Sequence, residues 1–182
     1  MQLLERNENL EKRLTELEKK QYSRRENLEL HGIPEIPDEN TDNVVMKRID
    51  EDITAGDIEV THRVGRQDIQ AQASNGTGQR RTRPRPIIVR FTRRQKRDKI
   101  YKDRKNIKNT TTDMLGYTVK NNIFVNENLT TYRRNLLRQS NEKRKALRYK
   151  FLWSYNGTIY VKKDQGMRSI IIRNERDLMK IV

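Results

Sequence analysis

The chain has no cysteine among its 182 residues, which rules out a disulfide framework and a thiolate metal site. It is short of apolar material as well: hydrophobic residues make up 32% and aromatics 6%, while 36% are charged. That is too little for one large core, so the composition predicts small domains, extended helix and some disorder. No stretch approaches the roughly 20 consecutive apolar residues that span a bilayer. Glu5, Glu8 and Asn9, among the first ten residues, interrupt any signal-peptide core. These absences predict a cytoplasmic or nuclear protein with no membrane segment.

Catalytic constellations are missing too. His31 and His62 lie in different segments, with no carboxylate at ligand or triad spacing. Asp50, Glu51, Asp52, Asp57 and Glu59 are acidic, but neighbours on a helix diverge and no oxygen-ligand loop pattern is present. There is no Gly-rich phosphate loop and no nucleophile motif. The expectation is a non-enzyme with no metal, no cofactor and no small-molecule substrate.

What the chain has in excess is positive charge: 40 Lys and Arg against 25 Asp and Glu, a formal +15. It is unevenly placed. Residues 1–26 carry +1, residues 27–62 carry −8, residues 63–112 carry +13 and residues 113–182 carry +9. A chain of this kind attracts polyanions, and nucleic acid is the first partner to weigh. The acidic quarter is expected to turn away from that partner.

Periodicity divides the chain. Leu3, Leu10 and Leu17 recur every seven residues, with Asn7, Leu14 and Gln21 at the alternate positions. This is heptad spacing, with Leu at d and a register-fixing Asn at one a position. Arg13 at g and Glu18 at e flank the seam, suited to an interchain salt bridge. The spacing predicts self-association over residues 1–25 through Leu3, Asn7, Leu10, Arg13, Leu14, Leu17 and Glu18, as a dimer or trimer. Its short length suggests that the chain starts partway through a longer coil.

From Glu26 the period changes. Asn27 to His31 alternates and stops at Gly32-Ile33-Pro34, a strand and turn. Thr41 caps a helix with Val45, Ile49 and Ile53 on one face, and Ile58 to Val64 is a second strand. Residues 67–85 form a flexible basic insert. Pro86 to Phe91 is a third strand. Thr92 and Gln95 make a capping box for a basic helix reaching about Asn109, and Ile123 to Val125 is a fourth strand. The order βαββαβ over residues 26–126 is that of an RRM-like sandwich.

Residues 127–182 form a second, α-β-β-β-α module: a helix from about Thr130 to Arg148, strands Lys150 to Tyr155 and Thr158 to Lys163 around Asn156-Gly157, a third strand from Arg168 to Arg173, and a helix capped by Asn174. The fold class is therefore α+β. Phe151 and Trp153 are expected in the core, while Tyr155 suits either the core or base stacking. In the first module the strands that would carry RRM aromatics hold only Phe91, so binding there is expected to be backbone-driven and weakly sequence-selective.

Candidate phosphate contacts are Arg63, Arg66, Arg85, Arg90, Arg93, Arg94, Lys96, Arg97, Arg104 and Lys105 in the first module. In the second they are Arg133, Arg134, Arg138, Arg144, Arg148, Lys162 and Lys163, with Tyr155 as a stacking residue. Cationic side chains at this density gain from counterion release.

Tyr22 to Pro34 resembles the junction between coiled coil and RRM in first-open-reading-frame proteins of LINE-type retrotransposons. His62 to Gly65 and Arg85 to Phe91 are similar to further segments of that family. Phe124 to Thr130, continuing through Trp153 to Asp164, is similar to its C-terminal domain and to that of the baculovirus few-polyhedra (FP) protein. The resemblance implies a trimeric coil, with Arg13, Leu14, Leu17 and Glu18 matching a trimer signature. It also implies single-stranded RNA or DNA binding in a cleft between the two modules, and chaperone activity within a cytoplasmic ribonucleoprotein. The coil is shorter and the insert longer than the family pattern. The alternative it leaves open is an FP-like viral or virus-derived protein that assembles through coil and C-terminal domain.

Overall fold

A computed structural model of the chain describes residues 2–48, 53–65, 83–107 and 110–182. Ile49, the Asp50-Glu51-Asp52 run, Arg66 and most of the expected insert, with Arg80 and Arg81, lie outside the described residues. The chain divides into two units. The central unit is Glu26–Asn128; the terminal unit joins Met1–Arg25 to Leu129–Val182. Each is described by itself.

The central unit runs β1 (Asn27–His31), α2 (Thr41–Arg48), β2 (Ile58–Arg63), β3 (Ile87–Phe91), α3 (Arg94–Ile107) and β4 (Phe124–Glu127). Its strands lie in the order β2-β3-β1-β4, every neighbour antiparallel. Leu28 faces Val89 and Glu127, and Leu30 faces Ile87 and Val125. Period-two alternation thus collects Leu28, Leu30, Ile87, Val89, Phe91 and Val125 on one face, all buried. Helix α3 lies against β1, β3 and β4, burying Ile100 and Tyr101; α2 lies against β2, burying Val44 and Val45. Each fully buried aliphatic side chain contributes about 1.5–3 kcal/mol.

Two caps differ from the sequence expectation. Helix α2 is capped by Asn40, whose Oδ1 accepts from the Asn43 N–H at 3.0 Å. Thr41 has moved into the helix because its hydroxyl pairs with that of Thr61. Thr92 does not form a capping box with Gln95. Its hydroxyl donates to the Gly56 carbonyl at 2.9 Å, and α3 starts two residues later. Ile53 is buried but not helical. After β1 the chain turns at Gly32, with φ +92 and so little room that a Cβ would meet the Asn122 carbonyl oxygen.

The terminal unit holds α1 (Gln2–Tyr22), α4 (Thr131–Ala146), β5 (Phe151–Tyr155), β6 (Thr158–Lys162), β7 (Ile170–Ile172) and a closing 3-10 helix, Glu175–Lys180. Thr130 caps α4, accepting from the Arg133 N–H. Asn156 and Gly157 both have positive φ, 51 and 74, the geometry of the tight hairpin that their sequence predicts. Asn174 and Asp177 cap each other's backbone reciprocally. The core gathers Leu136, Tyr149, Ile159, Val161, Ile172, Leu178 and Ile181.

Helix α1 is fastened at its C-terminal end. The Gln21 side-chain oxygen accepts from the Thr130 N–H at 2.9 Å, and Arg24 donates to the Leu129 carbonyl at 3.1 Å. Every side chain from Glu5 to Lys20 is exposed, with Leu10, Leu14 and Leu17 at 53%, 57% and 37%. Among the described residues no helix is long and apolar enough to cross a membrane.

Candidate nucleic-acid interface

The cationic side chains fall into two groups once their hydrogen bonds are traced. In the central unit several arginines are committed to the fold. Arg63 is only 5% exposed at its side chain and donates to five acceptors: both Glu39 carboxylate oxygens and the carbonyls of Ile33, Pro34 and Arg85. Arg85 grips Glu35, with Nε–Oε2 at 2.9 Å and Nη2–Oε2 at 2.7 Å. Arg97 is 1% exposed and bridges Glu127 on β4 at 2.7 Å and Asp98 at 2.8 Å. Arg63 and Arg97 are therefore corrected from phosphate contacts to internal fasteners. A buried guanidinium already holding carboxylates is out of reach of a ligand.

The acidic quarter does not turn away from the cations. Glu35 holds Arg85, Glu39 holds Arg63, Glu59 meets Arg90 at 3.0 Å, and Asp57 meets Lys96 at 3.7 Å. Glu26 also approaches Arg90 at 3.7 Å. Arg85, by its own hydrogen bonds, holds the Glu35 carboxyl below its ordinary range. Asp57 is lowered by the Thr54 backbone N–H and then its hydroxyl. Among the described residues of the first basic segment, Arg63, Arg85, Arg90, Arg94, Lys96 and Arg97 thus have carboxylate partners. Exposed on α3 and just before it are Arg93, Arg94, Lys99, Lys102 and Lys105. Arg94 has Asp98 at 3.8 Å, and Arg104 lies with its guanidinium 3.9 Å from the Tyr101 ring centre.

The terminal unit arranges its cations differently. Arg134, Arg138 and Arg144 project from α4, with Asn141 among them, and Lys150 precedes β5. Together with Leu137 and Leu152 they line a groove of about 490 Å³. Arg144 is set in position by Asn141 Oδ1 at 3.0 Å and by the carbonyls of Tyr149 at 3.0 Å and Lys150 at 3.3 Å. Arg138 has the exposed Glu142 at 2.8 Å, and Lys150 has Asp164 at 2.8 Å, which lowers the Asp164 pKa. Arg134 reaches the Leu129 carbonyl at 3.5 Å. A cationic wall over a small aliphatic floor suits phosphates with a sugar edge against the leucines.

The remaining candidates scatter. Arg133 donates to the Arg173 carbonyl at 2.9 Å. Arg148 stands exposed with φ 56 just beyond α4. Lys163 has its ammonium 5.4 Å from the Tyr149 ring centre. Tyr155 and Lys162 lie on the sheet face turned from the core. Asn7, Leu10, Arg13, Leu14, Leu17 and Glu18 line α1 in the open, and Leu3 lies within the same helix.

Phe151 and Trp153 are corrected as well. On β5 it is Leu152 and Ser154 that turn inward; Phe151 is 40% exposed and Trp153 is half-buried outside the core. Cross-strand pairing sets Trp153 opposite Tyr160, their rings stacked at 5.4 Å and 10°. The signal was present in the sequence. Ile159 and Val161 flank Tyr160, and a two-residue Asn-Gly turn puts Trp153 on the same face as Tyr160. Lys150 and Leu152 join the groove only through tertiary contact, whereas Asn141 shares the α4 face of Arg134 and Arg138 at helical spacing. No cluster of His, Asp or Glu able to hold a metal occurs among the described residues.

A comparison of the chain with curated proteins finds no match. The α4–β5 groove and the aromatic sheet face both fall within residues 130–182, the segment that matches the family model of the Baculovirus FP protein domain 2.

Proposed function

We propose that this protein is a non-catalytic, self-associating binder of single-stranded RNA or DNA, gripping the phosphate backbone with the α4–β5 groove and the outer face of α3. In this reading it coats RNA as an oligomeric ribonucleoprotein and acts as a nucleic-acid chaperone, in the manner of LINE-type first-open-reading-frame proteins. The observation that carries it is the convergence of Arg134, Arg138, Arg144 and Lys150 on one groove. Their segment, residues 130–182, has fourteen Lys and Arg against four Asp and Glu. Self-association follows from Leu10, Leu14 and Leu17, an apolar seam exposed along α1.

Binding to an unstructured oligonucleotide of about 30 nucleotides, followed between roughly 50 and 200 mM salt, tests the reading. Affinity should fall steeply, and Arg134→Glu with Arg138→Glu should reduce it by about a hundredfold while lowering the salt slope. Salt-independent binding removes the proposal.

A second reading, an FP-like protein that assembles with protein partners through α1 and the C-terminal segment, is supported by the exposed Leu10, Leu14 and Leu17 seam and is compatible with the match over residues 130–182. Reversing Arg93 and Arg94 on the surface, while leaving the buried Arg97 alone, separates the two. Partner binding that survives the change, with oligonucleotide binding lost, supports assembly as the main role.

A further inference from the structure

The β5–β6–β7 sheet buries one face and leaves the other largely aromatic. Inward go Leu152, Ser154, Ile159, Val161 and Ile172. Outward go Phe151, Trp153 and Tyr155 on β5, Tyr160 on β6 and Ile171 on β7. The chain has only eleven aromatic residues, and four of them share this one small face. The core is complete without them, and the cross-strand Trp153–Tyr160 pair, which stabilises the hairpin, accounts for only two of the four.

We infer that this face is a stacking platform for unpaired bases, a specific seat for the single strand that rests on the nucleic-acid reading above. Trp153 and Tyr160 already form a stacked pair, a rigid stack that a base can extend by lying on an outer ring face. Phe151 and Tyr155 flank Trp153 two residues away on either side, about 7 Å along the strand. That is roughly twice the 3.4 Å axial rise between stacked bases of a duplex strand, so only an unstacked, extended strand can seat successive bases on them. Lys162, directly opposite Phe151, supplies a cation on the same face. Charge selects the occupant: Lys162 on this face and the fourteen Lys and Arg against four Asp and Glu of residues 130–182 draw a polyanion to it.

The protein contains its own reporter, because Trp153 is the chain's single tryptophan. The full chain is titrated with a thymidine oligonucleotide at low salt while tryptophan emission is followed, and the same length of duplex serves as comparison. Quenching by the single strand and not by the duplex is expected. Phe151→Ser and Tyr155→Ser should each weaken single-strand binding about tenfold and leave duplex binding unchanged. Phe151 is exposed enough for serine to be tolerated, and circular dichroism checks that the variants fold. If the oligonucleotide binds with steep salt dependence but emission and both variants are unaffected, the platform is overturned while the backbone-binding reading stands. If the variants instead lose self-association in light scattering with oligonucleotide affinity intact, the face is a protein-docking surface and the platform is overturned. No oligonucleotide binding at all overturns both.

Discussion

Both sheets of this protein are antiparallel and buried on one face by aliphatic side chains, yet their second faces are chemically opposite. The central sheet turns Asn27, Glu29 and His31, His62, Arg90 and Asn126 away from its aliphatic core, with Val60, Ile88 and Phe124 among them. The terminal sheet turns out Phe151, Trp153, Tyr155 and Tyr160. The difference extends to how each unit is fastened. The central unit relies on guanidinium–carboxylate pairs drawn from distant segments, Arg63–Glu39, Arg85–Glu35 and Arg97–Glu127. The terminal unit relies on a cluster of aliphatic side chains and turn chemistry. Cationic side chains therefore serve two ends: Arg63, Arg85 and Arg97 fasten the central unit internally, while those of α3 and of the terminal unit's groove stand outward.

The largest test of that contrast compares two arginines of the central unit. Arg63→Ala leaves Glu39 and three carbonyls without their donor and should destabilise the unit by about 3–5 kcal/mol in urea unfolding. Arg94→Ala, at an exposed site beside Asp98, should change stability by less than about 0.5 kcal/mol. Equal effects of the two would erase the distinction between fastening and surface cations. Next in size is Gly32→Ala, where both the positive φ and the Asn122 carbonyl oppose a Cβ. A loss of at least about 1 kcal/mol in thermal unfolding is expected, and none would mean that the β1 turn can shift freely.

The smallest effect is acid sensitivity. Hydrogen bonding to Arg85 holds the Glu35 pKa below its ordinary 4.5 in the folded chain. Its stabilising contribution is complete above that unfolded value and is lost as pH falls through the lower, folded one. Glu35→Gln should flatten that part of the acid limb of a stability–pH curve, sharpening the contrast with the terminal unit's core cluster, which contains no carboxylate. An unchanged acid limb would show that this pair adds nothing.

Local chemistry made most of the fold legible. The alternation of Leu28 and Leu30, the Asn156-Gly157 turn and the Asn174 cap each act within a few residues, so the sequence displays them directly. Arg63 was opaque because its five acceptors come from residues 33, 34, 39 and 85, brought together only by tertiary folding. Thr92 misled for the same reason: a cap-like hydroxyl found a carbonyl at Gly56 instead. Phe151 and Trp153 have the bulk of core residues, but the parity fixed by Ile159 and Val161 turns them outward. In the groove, the arginines of α4 could be read from their spacing, but Lys150 and Leu152 reach it across a turn whose path the sequence does not specify.

The clamp of Gln21 and Arg24 onto Thr130 and Leu129 has a consequence in time. Its halves are 109 and 105 residues apart, whereas the central unit between them is contiguous. At a synthesis rate of about 5–20 residues per second, several seconds to some twenty pass between the emergence of α1 and that of the residues that fasten its end. During that interval the Leu10–Leu14–Leu17 seam is already outside the ribosome while the C-terminal segment is unmade. In the proposed self-association, chains growing side by side on one message would meet through α1 before any of them has a finished basic groove.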